Sequence, residues 1–242
     1  MSMLRFLKLL SVSFLFAGCT LFSTTAEPEV EEYEVVYPNP DPGISETLES
    51  YRDSLDREMG VRVATVTDTL RFGQPESSLG NLAADAIRVR AGNELRRYIN
   101  AGIIGQSSFK LFFTPGTLTL GDVYQFMPYE NHLVVLTLDA AMMRKLIQEV
   151  AEIGGAPISG VRFVIDDGKA RSILVNSEVI EDEAHYLVAT SSFLANGGDQ
   201  FSALWEPVDR IDLRDVSIRD LYVEHFRHQR VLTPITDGRI RQ

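Results

Sequence analysis

Residues 132–155 read HLVVLTLDAAMMRKLIQEVAEIGG. The run from Leu133 to Leu138 is apolar apart from Thr137, and it predicts a strand. Asp139 stands where a helix start needs a side-chain acceptor, so a long helix is expected through Glu152. Gly154 and Gly155 end it. Working back toward the N-terminus, one helical turn is expected over residues 120–125. A compact apolar strand over 109–114 should be closed by Pro115 and Gly116. A helix starting at Ser77 or Ser78 carries Leu79, Leu82, Ala83, Ala86 and Ile87 on one face. Residues 61–69 alternate like a strand, and Ser45 caps a helix through about Glu58. Toward the C-terminus, strands are expected at 161–165, 171–175, 178–180 and 186–190. A helix over about 217–228 and a last short strand at 238–241 follow. Helices and strands are mixed rather than strictly alternating. The expected fold class is therefore α+β, mixed α/β, with a mixed β-sheet and packed helices in a single domain.

The chain has 242 residues, which suits one large domain with appendages. Its net charge is −11 with no Lys/Arg cluster, so a nucleic-acid polymer is not an expected partner. One cysteine excludes an intrachain disulfide framework and a Cys-rich zinc site. Four histidines leave little material for a dinuclear metal centre. His225 and His228, three apart on the last helix, read as part of a solvated face.

The N-terminus reads as an address. Arg5 and Lys8 precede a short apolar run that is well under the ~20 residues of a spanning helix. Phe16-Ala17-Gly18-Cys19 resembles a bacterial lipobox, except that leucine is more usual at the place of Phe16. Residues 1–18 are expected to be a lipoprotein signal peptide, and Cys19 the lipidated residue. An ordinary secreted protein with an incidental cysteine, or an uncleaved anchor, is the alternative. Removing 1–18 would take the net charge from −11 to −13. Residues 19–43 form an acidic, Pro-rich tether, and 44–242 the folded domain. The expected location is exported and membrane-anchored through Cys19, on the periplasmic or outer-surface side.

Five strings, in order, carry a resemblance. They are PESSLGNLAADA (75–86), GTLTLGDVY (116–124) followed by MPYEN (127–131), ISGVRF (158–163), FLANGGDQF (193–201) and DGRI (237–240). Together they resemble the C-terminal domain of the 5′-nucleotidase family, and the domain over 44–242 is expected to be 5′-nucleotidase C-terminal-like. The resemblance implies a substrate-binding role. Two rings, Tyr129 and Phe193, would sandwich a nucleobase. Asp199 would accept from ribose hydroxyls, and Asn131 would pair with a base edge. Taken singly, residues 196–199 read as a turn, and either ring reads as core. The string around Glu76–Asn81 reads as structural, with a serine cap and Gly80 permitting close packing.

The resemblance also implies what is missing. Family enzymes carry a two-metal phosphoesterase domain with D-x-H, G-N-H-[DE] and G-H-x-H strings, and none occurs here. No catalytic residue, metal ligand or cofactor is therefore assigned to this chain. A divalent metal pair is expected in a partner, an exported metallophosphoesterase. The expected function is the nucleoside- or nucleotide-binding part of a 5′-nucleotidase-type phosphohydrolase in nucleotide catabolism. The alternative is a non-catalytic nucleoside-binding or structural surface lipoprotein. The family's substrate-contacting arginine falls at Gly105, in Asn100–Gly105. Arg71, Arg96 and Arg97 are the nearest replacements.

Overall fold

The computed structural model describes residues 42–242. Cys19, the expected signal peptide and the expected tether up to residue 41 lie outside the described residues. Residues 46–242 form one compact unit.

Helix α1 spans Pro42–Met59 and so begins within the expected tether. Proline suits a first helical position, because its missing N–H would have no partner there. Strand β1 (Arg62–Val66) follows, and then α2 (Ser78–Leu95). Ser77 caps α2 by accepting from the Gly80 N–H. A Cβ on Gly80 would meet Pro157 at 3.3 Å, so the glycine does permit close packing. Next come β2 (Ala101–Ile103), a 3-10 turn over Gln106–Ser108, β3 (Gly116–Thr119) and α3 (Leu120–Phe126). Thr119 and Asp122 cap α3 reciprocally. Strand β4 (His132–Asp139) runs into α4 (Ala140–Glu152), whose first turn Asp139 caps through the Met142 N–H. The rest is β5 (Ile158–Ser159), β6 (Val161–Asp166), β7 (Lys169–Val175), β8 (His185–Ser191), α5 (Ser192–Ala195), β9 (Asp209–Ser217), α6 (Ile218–Gln229), β10 (Val231–Leu232) and β11 (Ile240–Arg241).

The central sheet is mixed, in the order β5-β2-β8-β4-β9. Strands β2 and β8 are parallel and its other pairs antiparallel. The sheet is buried on both faces, which accounts for the nearly unbroken apolar run of β4. Leu133 and Val135 point into a cluster with α2, α6 and the rings Phe109, Phe113, Phe126, Tyr222 and Phe226. Val134, Leu136 and Leu138 point the other way, toward Met143, Leu146, Ile147 and Val150 of α4. Two three-stranded sheets, β10-β1-β3 and β11-β6-β7, complete the α+β fold.

Two expected strands are absent as such. Residues 109–114 contribute one isolated bridge, Leu70 to Phe113. The apolar side chains there divide between Phe109 and Phe113 in the ring cluster and exposed Leu111 and Phe112, so no strand face forms. Residues 178–180 contribute one isolated bridge, from Glu178 back to Val175 across a turn at Asn176 and Ser177, both of which take positive φ. Strand β9 carries no apolar run. Ile211 and Leu213 pack on the core between charged neighbours, as befits an edge strand. Among the described residues, no helix is long and apolar enough to cross a membrane.

Candidate functional site

Strand register brings distant segments to one end of the central sheet. Leu133, at the start of β4, pairs with Ser191, at the end of β8. Gly102 of β2 lies beside Ala189 of β8 in parallel, so β2 leaves the sheet at that same end. The loop before β4 carries Tyr129 and Asn131. The chain after β8 carries Phe193 and Asp199. The chain after β2 carries Gly105 and the 3-10 turn.

Each predicted residue is held in place. Tyr129 and Phe193 are 45% and 41% exposed, so both rings present surface rather than fill the core. Arg219 of α6 donates to the carbonyls of Met127 (2.8 Å) and Pro128 (2.9 Å), fixing the loop in front of Tyr129. The Phe193 ring lies against Gly198, where any Cβ would overlap it. Among the described residues, no ring–ring contact joins Tyr129 to Phe193. The Asn131 side-chain oxygen takes a 3.2 Å bond from the Ser192 hydroxyl, which leaves the amide's two donors for another partner. The Ser192 oxygen also accepts from the His132 N–H at 3.2 Å. Asp199 has φ 51°, which Asp tolerates, and it follows Gly197 at φ 99°. The carboxylate takes a 2.6 Å bond from the Ser107 hydroxyl. A Cβ on Gly105 would overlap Asp199 Oδ2, so this carboxylate fills the space that a side chain at 105 would need.

Charge braces the site from β9. Arg210 binds Asp212 through two 2.9 Å bonds and also donates to Asn196 Oδ1 at 3.0 Å. His132 Nε2 lies 2.9 Å from Asp212 Oδ1. Arg210 first, and His132 second, hold the Asp212 carboxyl down at about 2. One ammonium reaches the rings. Lys110 Nζ donates to the Ser107 carbonyl at 3.0 Å and stands 5.1 Å from the Tyr129 ring centre. Among the described residues, Arg71, Arg96 and Arg97 make no bond to this group. Arg96 closes the far, C-terminal end of α2.

Beside Asp199 and Ser107 lies a cleft of about 340 Å³, lined also by Gln74, Gln106, Ile153, Gly155, Ala156 and Phe201. A larger cleft, about 880 Å³, opens between α2, α6 and the C-terminal segment. Its floor is already paired. Arg239, 8% exposed, donates to Asp85 (3.0 and 3.1 Å), Asp237 (3.0 and 3.2 Å) and the Ile158 carbonyl (3.0 Å). Ser159 donates to Asp85, Arg88 donates to Ser159, and Glu76 accepts from Asn81 and from the Asp237 N–H. Three of the five sequence strings thus converge on a brace, and the other two converge on the rings. His225 lines the larger cleft half-buried rather than on a solvated face. Burial lowers its pKa, with Asp85 opposing. Among the described residues, no three His, Cys, Asp or Glu side chains gather as a metal-binding group.

Sequence reading missed Ser107, Lys110, Ser192, Arg210 and Arg219. Only Lys110 left a signal, as the one Lys or Arg between Arg97 and Arg144.

Comparison with known proteins gives these residues a context. Residues 61–206 match the family described as 5′-nucleotidase, C-terminal domain. The trifunctional nucleotide phosphoesterase protein YfkN of Bacillus subtilis is 24% identical over 83% of this chain, which covers 15% of that protein. The NAD 5′-nucleotidase of Haemophilus influenzae is 24% identical over 50% of this chain and 23% of its own length. Among solved structures, a 5′-nucleotidase precursor from Thermus thermophilus superimposes with a TM-score of 0.70 and 25% identity. That match covers 81% of this chain and 42% of that one. The chain spans less than half of each of these relatives. Residues 61–206 being more than half of its length, the chain belongs to the 5′-nucleotidase family through that family's C-terminal domain.

Proposed function

We propose that this chain is the nucleoside- or nucleotide-binding part of a 5′-nucleotidase-type phosphohydrolase, with catalysis supplied by a two-metal phosphoesterase outside these residues. The observation that carries the reading is the pair of exposed rings, Tyr129 and Phe193, set at one sheet end with Asp199 and Asn131. Exposed rings take either face of a base, a carboxylate accepts from two ribose hydroxyls, and an amide reads a base edge. A two-metal phosphoesterase holds its cations about 3.5–4 Å apart, and the family's ligand strings for them are not in this sequence. Lipidation at Cys19 would hold the domain at a membrane beside an exported phosphoesterase.

The test is phosphate release from 5′-AMP with Mn²⁺. The full chain in detergent is assayed alone, then mixed with an exported metallophosphoesterase that lacks this domain. Release only in the mixture, reduced about tenfold by Phe193→Ala, is the expected result. Release by the phosphoesterase that is the same with and without this chain would contradict the proposal. One feature favours the non-catalytic alternative: Asp199 occupies the space at Gly105 that the family's arginine would need. On that reading nucleosides bind and no mixture releases phosphate.

A further inference from the structure

We infer that Lys110 makes this site select phosphorylated nucleosides over free ones. The inference rests on the nucleoside-binding reading above and deepens it.

Lys110 follows the 3-10 turn, and its backbone N–H donates to the Phe126 carbonyl at 3.1 Å. Its main chain is therefore anchored, while its side chain is exposed. The ammonium bonds the Ser107 carbonyl, and the Ser107 hydroxyl bonds Asp199. A single residue thus connects the cation to the carboxylate, and the same cation stands over one face of the Tyr129 ring. An ammonium has three donors, and Ser107 takes one. The arginines nearby are committed elsewhere. Arg219 serves the Met127 and Pro128 carbonyls, and Arg210 serves Asp212 and Asn196.

The site needs such a charge. A nucleoside monophosphate carries about two negative charges near neutral pH. The chain itself carries −11, so its overall field repels that anion. A local cation must reverse the preference. Lysine suits the task because it acts as a mobile point charge and needs no fixed bidentate geometry. With a base on the open face of Tyr129 and the ribose at Asp199, the ammonium over the other face of the ring, on a flexible side chain, keeps two donors for a phosphate.

The experiment is calorimetric titration of the full chain in detergent, at low salt, with 5′-AMP and with adenosine. The wild type, Lys110→Gln, Lys110→Glu and Lys110→Arg are compared. The wild type should bind 5′-AMP about tenfold more tightly than adenosine. Lys110→Gln should abolish that ratio by weakening 5′-AMP alone, Lys110→Glu should invert it, and Lys110→Arg should restore most of it. Added salt should weaken 5′-AMP and leave adenosine unchanged in the wild type. Equal affinities in the wild type, or a ratio that survives Lys110→Gln, would overturn the inference while leaving nucleoside binding intact. Equal weakening of both ligands by Lys110→Gln would also overturn it, since the lysine would then be supporting the ring. Binding of neither ligand to the wild type would overturn the nucleoside-binding reading itself.

Discussion

Gly105 and Asp199 compete for one volume. The carboxylate sits where a Cβ at 105 would stand, and Ser107 holds it there. Gly105→Ala should therefore push Asp199 off Ser107. Nucleoside affinity should fall about tenfold, the scale of a charge-assisted bond. The melting temperature should fall only modestly, because exposed Asp199 can yield, although buried Leu194, 3.2 Å from that Cβ, must also give slightly. Calorimetry and thermal melting on the same preparation check both halves. Asp212 gives a pH signature. Its folded pKa is depressed from 3.8 to about 2 by Arg210 and His132. Between those values the unfolded chain binds more protons, so this contribution to stability is present above about pH 4 and is lost as pH falls toward 2. Asp212→Asn should flatten the fall of melting temperature across that window, and an unchanged slope would refute the assignment. Tyr129, Asn131, Phe193 and Asp199 stand out in the sequence because their neighbours form recognisable strings. Arg219 does not, because the Met127 and Pro128 carbonyls that it bonds lie 92 and 91 residues away along the chain.

The capped helices show the element scale at its most readable. Ser77, Asp139 and Ser217 each stand where sequence predicts a cap or start, since a cap is a local bond between near neighbours. The strands at 109–114 and 178–180 were misread, because apolar composition does not decide whether a segment finds a ladder partner. Strand β9 was missed for the converse reason. It has a partner, β4, but a charged sequence. The short C-terminal strand β11 depends on the residue before it. Arg239 joins Asp85, Asp237 and the Ile158 carbonyl, so it ties the chain end to α2 and β5. Arg239→Leu would leave Asp85 and Asp237 without their buried partner. Asp85 is 38% exposed, so the loss should fall below the roughly 3–5 kcal/mol of fully buried pairs, at about 2 kcal/mol. Denaturant titration checks this, and a change under about 0.5 kcal/mol would show the brace to be dispensable.

At the scale of the whole molecule, two clefts compete for the ligand. The larger holds a floor of satisfied ion pairs, and the smaller is lined by the Asp199 carboxylate and by Ser107, whose carbonyl the Lys110 ammonium bonds. Volume favours the first, and chemistry favours the second. The ring site exists because three sheet strands reach one end together, a juxtaposition set by the central sheet order rather than by any single segment. The mixed sheet and its helices were legible as a class, and the resemblance supplied the family. Which strings build the ring site and which build the brace emerged only from three-dimensional contacts. The most direct test is an NMR titration of the full chain in detergent micelles with 5′-AMP, following assigned backbone and ring resonances. Saturable shifts are expected at Tyr129, Asn131, Phe193, Asp199 and Lys110, with Asp85, Ser159 and Arg239 unmoved. Shifts confined to the Asp85–Arg239 cleft, or none at millimolar ligand, would contradict binding at the ring site.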